Sequence, residues 1–336
     1  MKNAKKIHLE IVRIIALICI VYNHTGERGN NVYLFTDGNI TFVFSLVADI
    51  LCKIGVPLFV MVSGSLLLQK EESLQEIYRK RIFRIVKVIV LFTALRYFYE
   101  CFLVKKYIFS LSELIRIILS GKVFLPYWFL YSYLSLLFVL PFMKKMIKNM
   151  DKKEIHVLAL LISIFYVVLP IISALIKLEF QISFAFEGFC CYCILGYYLE
   201  YVIDEKAYTR KNTVLAVLGI VISVAFSYWM VTRNKATSGV IAGEYCGFLS
   251  ILIAFLVFFI VKAIWGKNTK KKTSMFWNKI ITVIGSCSFG IYLIEDYLRN
   301  GLSFICDNLA PYVTTLPACA IWLIAVMVVG VGIVLV

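Results

Sequence analysis

Apolar residues run along this chain in about ten stretches long enough to cross a bilayer, separated by short polar connections. They lie at 7–26, 42–68, 82–104, 124–142, 155–176, 184–203, 212–231, 244–264, 280–299 and 313–336. At ~1.5 Å of rise per residue each predicts a helix that spans some 30 Å of hydrocarbon. Residues 107–122 differ: Glu113, Arg116 and Lys122 interrupt Ile and Leu, a pattern that predicts an amphipathic helix lying at the interface. The expected architecture is all-α and polytopic, a single transmembrane domain over 1–336.

Composition agrees with the pattern. Of 336 residues 61% are hydrophobic and only 16% charged, and the mean hydropathy of +0.88 is too high for a soluble core to absorb. The net charge of +15 does not point to nucleic acid, because the Lys and Arg sit mainly between the apolar runs, where orientation signals belong. With the N-terminus placed in the cytoplasm, the inner segments hold 22 Lys and Arg and the outer ones 9. This bias predicts a cell-membrane protein with both ends inside.

The first run has no small-residue cleavage site and contains Glu10 and Arg13, so it is expected to stay as the first span. The last run stops at Val336 without a charged or aromatic anchor, which predicts that the full-length protein continues. Ten cysteines are scattered through the apolar runs and read as small buried hydrophobes. Even Cys190, Cys191 and Cys193 lack a nearby His in sequence, so no metal site is expected.

Three groups in the first helix are out of place in lipid: Glu10, Arg13 and His24. At about 100° per residue, Arg13 falls within ~20° of His24 and Glu10 within ~40°, so all three share one face. Glu10 and Arg13, three residues apart, can pair and offset each other's desolvation, as an interfacial salt bridge or as part of a site. His24, roughly 16 Å further along, is either a satisfied core residue or a general base, since its ordinary pKa of about 6.5 suits proton transfer.

A second constellation follows the second run, in KEESLQEIYRKRIFRIVK. Arg81 and Arg84 are one turn apart, with Arg79, Lys80 and Lys87 beside them. They are either ordinary positive-inside charge or a phosphate clamp, because guanidinium forks bind phosphate in a bidentate manner. Just upstream, Pro57 can kink the second helix, and Ser63, Gly64 and Ser65 allow close helix approach or line a cavity. Tyr127 and Trp128 can stack on a sugar ring or anchor the fourth span at the interface. His8 and His156 sit beside basic interfacial segments and read as solvated.

The ordered set LEIVRIIALICIVYNH, VPLFVMVSGSLLL, RKRIFRI, PYWFLYSYLSLLFVLP from Pro126 to Pro141, FCCYCILGYYL and SCSFGIYLIEDYL resembles the acyltransferase 3 family of membrane acyltransferases. The resemblance implies a ten-helix enzyme that moves an acyl group, most often acetyl, from cytoplasmic acyl-CoA to a sugar hydroxyl of a cell-envelope glycan or lipid-linked sugar. It implies acyl-CoA as co-substrate and no bound cofactor. It makes His24 the general base or acyl relay, with Glu10 orienting Arg13, and it gives the donor phosphates to Arg81 and Arg84, with Lys80 and Ser63 in the same donor site. The late block departs from the family's pattern: after Ser288 and Tyr292, Glu295 stands where a His is often found, beside Asp296. Either these carboxylates replace that His or they bind a hydroxylated or amine-bearing acceptor.

Two competing readings stand beside this one. In the first, Glu10, Arg13 and His24 form the polar relay of a transporter or flippase, although no internal symmetry of paired halves is visible. In the second, the chain is the membrane half of a protein that feeds a fused soluble enzyme.

Overall fold

The computed structural model describes residues 6–36, 38–121, 127–178, 188–238, 242–266 and 275–335. Lys2, Lys5, Lys122, Pro126, the basic run from Lys267 to Lys272, the first residues of the apolar runs at 124 and 184, and Val336 lie outside them, as do the side chains of 235–248, Lys235 and Cys246 included. The described chain is helical, with no strand. In order it forms α1 Ile7–Asn23, α2 Ile40–Leu67, α3 over 74–103, α4 Leu111–Ser120, α5 Trp128–Asn149 and α6 Lys152–Ile176. Then follow α7 Phe189–Val202, α8 Arg210–Ser238, α9 Ala242–Trp265, α10 Met275–Gly301, α11 Ser303–Val313 and α12 Thr315–Leu335.

The described residues of the ten apolar runs fall mainly on these helices. Among the described residues, α2, α5, α6, the Arg210–Asn234 part of α8, α10 and α12 are each long and apolar enough to cross a membrane, and α7 and Leu249–Trp265 are shorter apolar helices. The chain is therefore an all-α polytopic membrane protein. Helix α11 is new: its Asp307, Asn308 and Pro311 interrupt the apolar pattern, yet the segment is helical and Arg28 binds Asp307 through two hydrogen bonds of 2.7 and 2.9 Å.

Two compact units are present, one of Met1–Leu66 with Asp151–Val336 and one of Leu67–Met150. In the first, α1 is central. It packs against α10, α9, α2 and α12, and Leu9, Val12, Ala16, Leu17, Ile20 and Val21 are all buried. A helix that is apolar almost all round belongs in such a position.

Helix α2 breaks after Cys52, and Gly55 then lies against α1, where a Cβ would stand 2.8 Å from Ile20 Cγ1 and 3.0 Å from the Ala16 carbonyl oxygen. Pro57, three residues past the break, lies in the first turn of the new segment, where its missing N–H costs nothing. Asn23 Nδ2 donates to the Cys52 carbonyl at 2.7 Å and so satisfies an end that the break leaves open.

The second half of α2 crosses α7 at two glycines. A Cβ on Gly64 would run into the Cys193 peptide, and one on Gly196 into the Met61 peptide. Ser65 Oγ lies 3.0 Å from both the Met61 and Gly196 carbonyl oxygens. The small residues of GVPLFVMVSGSLLL thus serve close approach, which replaces the missing hydrophobic drive between helices in lipid.

The start of α1 is tied down by Glu200, at the end of α7. Its carboxylate accepts from Lys6 at 2.8 Å and pairs with His8 at 2.9 Å and Lys262 at 3.5 Å. Lys262 also donates to the carbonyls of Leu199 and Glu200, at 2.8 and 2.7 Å, in the last turn of α7 where carbonyls lack helical partners. His8 is therefore buried and hydrogen-bonded, not solvated as its basic neighbours suggest; the carboxylate it meets is 192 residues away. His156 is exposed, with Nδ1 2.8 Å from the Tyr198 hydroxyl.

In the second unit, α4 is the amphipathic helix expected between 107 and 122. Ser110 caps its N-terminus, and Gly121, at φ 65°, ends it in the left-handed conformation that favours glycine. Its Leu114 and Ile117 pack on Tyr97 and Cys101 of α3.

Candidate active site

His24 is the first residue past α1, and the chain around it is fixed from both sides. Thr25 Oγ1 donates to the Tyr22 carbonyl at 2.7 Å and accepts from the Asn30 amide at 2.9 Å, which folds the following loop back on the helix end. Gly29 then sits so close to Thr25 and to Cys319 of α12 that a Cβ there would meet both side chains. The imidazole is thus carried on a rigid support, as a precise site requires.

The ring points at α10. His24 Nδ1 lies 2.6 Å from Glu295 Oε1, and the two side chains are 14% and 0% exposed. A contact this short between a ring N–H and a carboxylate is in the charge-assisted range. The carboxylate fixes the tautomer: with Nδ1–H donated to Glu295, the lone pair rests on Nε2. The second oxygen, Oε2, stands 3.6 Å from Nε of Arg299, one turn further on, and Arg299 also bonds Asp296. Imidazole, carboxylate and guanidinium form one chain of polar groups inside an apolar bundle.

Glu10 and Arg13 lie lower on the same face. Arg13 Nη1 reaches both oxygens of Glu10, at 2.9 and 3.1 Å, and Glu10 is buried. It packs on Gly285 of α10, where a Cβ would come within 2.8 Å of Glu10 Cβ and 3.1 Å of its Cα. The face that angular spacing defines on α1 is thus the face α10 covers, with Glu10 at Gly285 and His24 at Glu295. Glu295 and Asp296, expected either to replace a histidine or to meet an acceptor, are engaged within the protein by His24 and Arg299.

The basic group of the second unit has a different form. Arg81 grips Glu72 with two bonds, Nε to Oε2 at 3.0 Å and Nη2 to Oε1 at 2.7 Å. Lys144 of α5 reaches Glu72 Oε2 at 3.0 Å, and Lys70 reaches Oε1 at 3.0 Å. Neither Glu72 nor Lys144 stood out in the sequence; the only hint of the first was the acidic pair Glu71 and Glu72, six residues short of the basic run that starts at Arg79. Partial burial raises the Glu72 carboxyl, but the hydrogen bonds from Arg81, Lys144 and Lys70 outweigh it and hold the group down at about 2.

Residues 77–82 form a π-helical turn; Arg81 is engaged by Glu72, whereas Arg84 is exposed. Lys80 is exposed and binds Glu76 at 2.8 Å. Ser63 Oγ donates along its own helix to the Phe59 carbonyl at 3.1 Å. Tyr127 is buried, edge-on to Phe92 with ring centroids 6.4 Å apart, whereas Trp128 is 47% exposed at the start of α5.

Comparison with known proteins adds one finding. The model of a protein family, described as an acyltransferase domain, matches residues 7–336, nearly the whole chain. Neither the curated proteins nor the solved structures gave a match.

Proposed function

We propose, from the premise that the chain belongs to the acyltransferase 3 family and is a membrane acyltransferase, that it moves an acetyl or other short acyl group from cytoplasmic acyl-CoA to a sugar hydroxyl of a cell-envelope glycan or lipid-linked sugar. The observation that carries this reading is the 2.6 Å contact between His24 Nδ1 and Glu295 Oε1. It leaves Nε2 of His24 as a base and places a carboxylate where the imidazolium charge develops. The acceptor hydroxyl gives its proton to Nε2 while its oxygen attacks the thioester carbonyl. A C–O bond forms and the C–S bond breaks, and the departing thiolate takes the proton back from the imidazolium.

Glu295 is a positioning residue in this scheme, held in turn by Arg299. Glu10 and Arg13 fix α10 against α1 below the base. Arg81 binds a donor phosphate, with Arg84, Lys80 and Ser63 as further donor-site residues, and Trp128, Tyr127 and Asp296 remain assigned to the acceptor. Acyl-CoA is a co-substrate, and the scheme calls on no resident cofactor or metal. The bias of 22 to 9 basic residues supports an N-terminus in the cytoplasm of a cell-membrane protein, on the side where acyl-CoA is found.

The test is acetyl-CoA turnover by purified protein in detergent, with and without a glycan acceptor. His24→Ala is expected to lower both transfer and thioester hydrolysis by about 10²–10⁴-fold. Undiminished transfer would sink the role of His24. A wild-type protein that neither transfers nor hydrolyses would return the polar face of α1 to the transporter reading.

A further inference from the structure

The C-terminal end of α1 carries a second polar group, on the side of α2, that the acyl-transfer scheme does not use. It consists of Tyr22, Asn23, Asn30, Asp49 and Lys53, all within the first unit. Tyr22 is 8% exposed, Asn30 7% and Asp49 1%. Asn23, the residue before His24, donates from Nδ2 to the Cys52 carbonyl at the break in α2, so the base and the break share one helix end. Lys53, one turn past Asp49, places Nζ 2.9 Å from Asp49 Oδ1. Asn30 stands beside the same carboxylate, and Tyr22 is within its electrostatic reach.

What this group lacks is donors. The Tyr22 hydroxyl, Asn23 Oδ1, Asn30 Oδ1 and both oxygens of Asp49 are buried and make no hydrogen bond of good geometry among the described residues. Buried polar atoms are nearly always paired, so a set of them left open at one place calls for a partner. Because the open atoms are oxygens, that partner must be rich in O–H or N–H groups.

Charge narrows the class. Asp49 and Lys53 cancel, so a cation bound here would leave one uncompensated charge in an apolar bundle. Among the described residues, no three of His, Cys, Asp and Glu come together to hold a metal ion. An anion would face the Asp49 carboxylate and a row of lone pairs. The class that remains is an uncharged molecule with several hydroxyl groups, which is what a sugar offers. The group is not sealed, because Asn23, His24, Cys52 and Lys53 are each half-buried and open it on the side of the base.

We propose that Tyr22, Asn23, Asn30 and Asp49 form a subsite for the hydroxyl groups of an uncharged sugar acceptor, next to His24. This rests on the acyl-transfer reading and adds to it the residues that hold the acceptor's non-reacting hydroxyls while one hydroxyl meets Nε2 of His24. Lys53 holds Asp49 in place as a carboxylate, the form that only accepts.

The experiment measures acetyl transfer from acetyl-CoA to de-O-acetylated cell-envelope polysaccharide of the source cells, by the full chain in detergent. It separates the KM for polysaccharide from the KM for acetyl-CoA. Asp49→Asn is expected to raise the KM for polysaccharide about tenfold and Tyr22→Phe about threefold, the size of one weakened or lost hydrogen bond, with the KM for acetyl-CoA unchanged. Tyr22→Phe also separates site from fold: deleting a hydroxyl that has no partner within the protein is expected to leave the melting midpoint unchanged or higher.

An unchanged KM for polysaccharide in both variants overturns the subsite, whose oxygens then bind only water, and leaves the acyl-CoA reading standing. An equal rise in both KM values, or a lower melting midpoint for Tyr22→Phe, assigns the group to the fold and overturns the proposal. A wild type that transfers no acetyl group overturns the subsite together with the reading beneath it.

Discussion

Two carboxylates in this protein have opposite surroundings. Glu295 is fully buried and meets one imidazole at 2.6 Å, with a guanidinium at a more distant 3.6 Å. Glu72, its side chain also largely buried, sits among three cations. Around Glu295 its own carboxylate and that of Asp296 share one guanidinium, so positive charge developing on the imidazole meets a carboxylate, and what Glu295 controls is a direction: which nitrogen carries the proton. Around Glu72 positive charge is in excess, so what it controls is spacing between cations that await another anion. A directional pair whose carboxylate meets a developing positive charge suits proton transfer, and a cluster with positive charge in excess suits anion binding. The same residue type serves chemistry in one place and recognition in the other because of the number and kind of its neighbours.

The largest effect that tests this contrast is expected from Glu295→Gln. The amide is nearly isosteric, but it no longer fixes the imidazole tautomer or offsets the imidazolium charge. Turnover is expected to fall by roughly 10²-fold or more, with the KM for acyl-CoA little changed, because the donor phosphates are assigned elsewhere. A loss confined to KM would move Glu295 from the proton-transfer pair to substrate binding. The double variant with His24→Ala is expected to be no worse than His24→Ala alone, the mark of residues that act as one unit.

The two regions also differ in how far the sequence reveals them. The polar face of α1 is legible because angular spacing on a helix is local: Glu10, Arg13 and His24 align at any rotation of the chain beyond it. Its partner is not, since Glu295 is 271 residues from His24 and only the packing of α1 on α10 brings them together. Arg81 and Arg84 show the limit of local spacing. Spacing puts them one turn apart, but Arg81 is engaged by Glu72 while Arg84 is exposed, and the carboxylate that separates their roles lies nine residues before Arg81. His8 fails for the same reason as Glu295, because its carboxylate lies on a distant helix. The apolar runs, by contrast, are mainly helical over their described residues, because a backbone in hydrocarbon must satisfy its hydrogen bonds within the segment.

The next effect concerns stability and separates the frame from the chemistry. Gly64→Ala would place a Cβ 2.6 Å from the Cys193 carbonyl carbon and 2.7 Å from its Cα, with backbone and no flexible side chain in the way. Helices α2 and α7 would have to move apart and loosen the Ser65 bridge, at a cost of about 1–3 kcal/mol or more. A thermal melt in detergent is expected to show a midpoint several degrees lower, with residual folded protein still active. Gly285→Ala is expected to be milder, because part of what its Cβ meets is the Glu10 side chain rather than backbone alone, and to reduce activity along with stability by shifting α10 under His24. Equal stability of Gly64→Ala and wild type would mean that the crossing is not tightly packed.

The smallest effect is a pH dependence, and it bears on the Glu72 side of the contrast. The carboxyl of Glu72 is held at about 2, below its ordinary 4.5. A depressed carboxyl binds protons more readily in the unfolded chain than in the folded one, so its contribution to stability is complete above about 4.5 and is lost as pH falls towards 2. The informative quantity is the difference in melting midpoint between wild type and Glu72→Gln, in which groups common to both proteins cancel. That difference is expected to be constant from pH 7 to about 5 and to shrink steadily below 4.5. A difference that stays flat to pH 3 would mean that the three cations do not stabilise the carboxylate, and the arrangement around Glu72 would lose its reason for holding Arg81 and Lys144 in place.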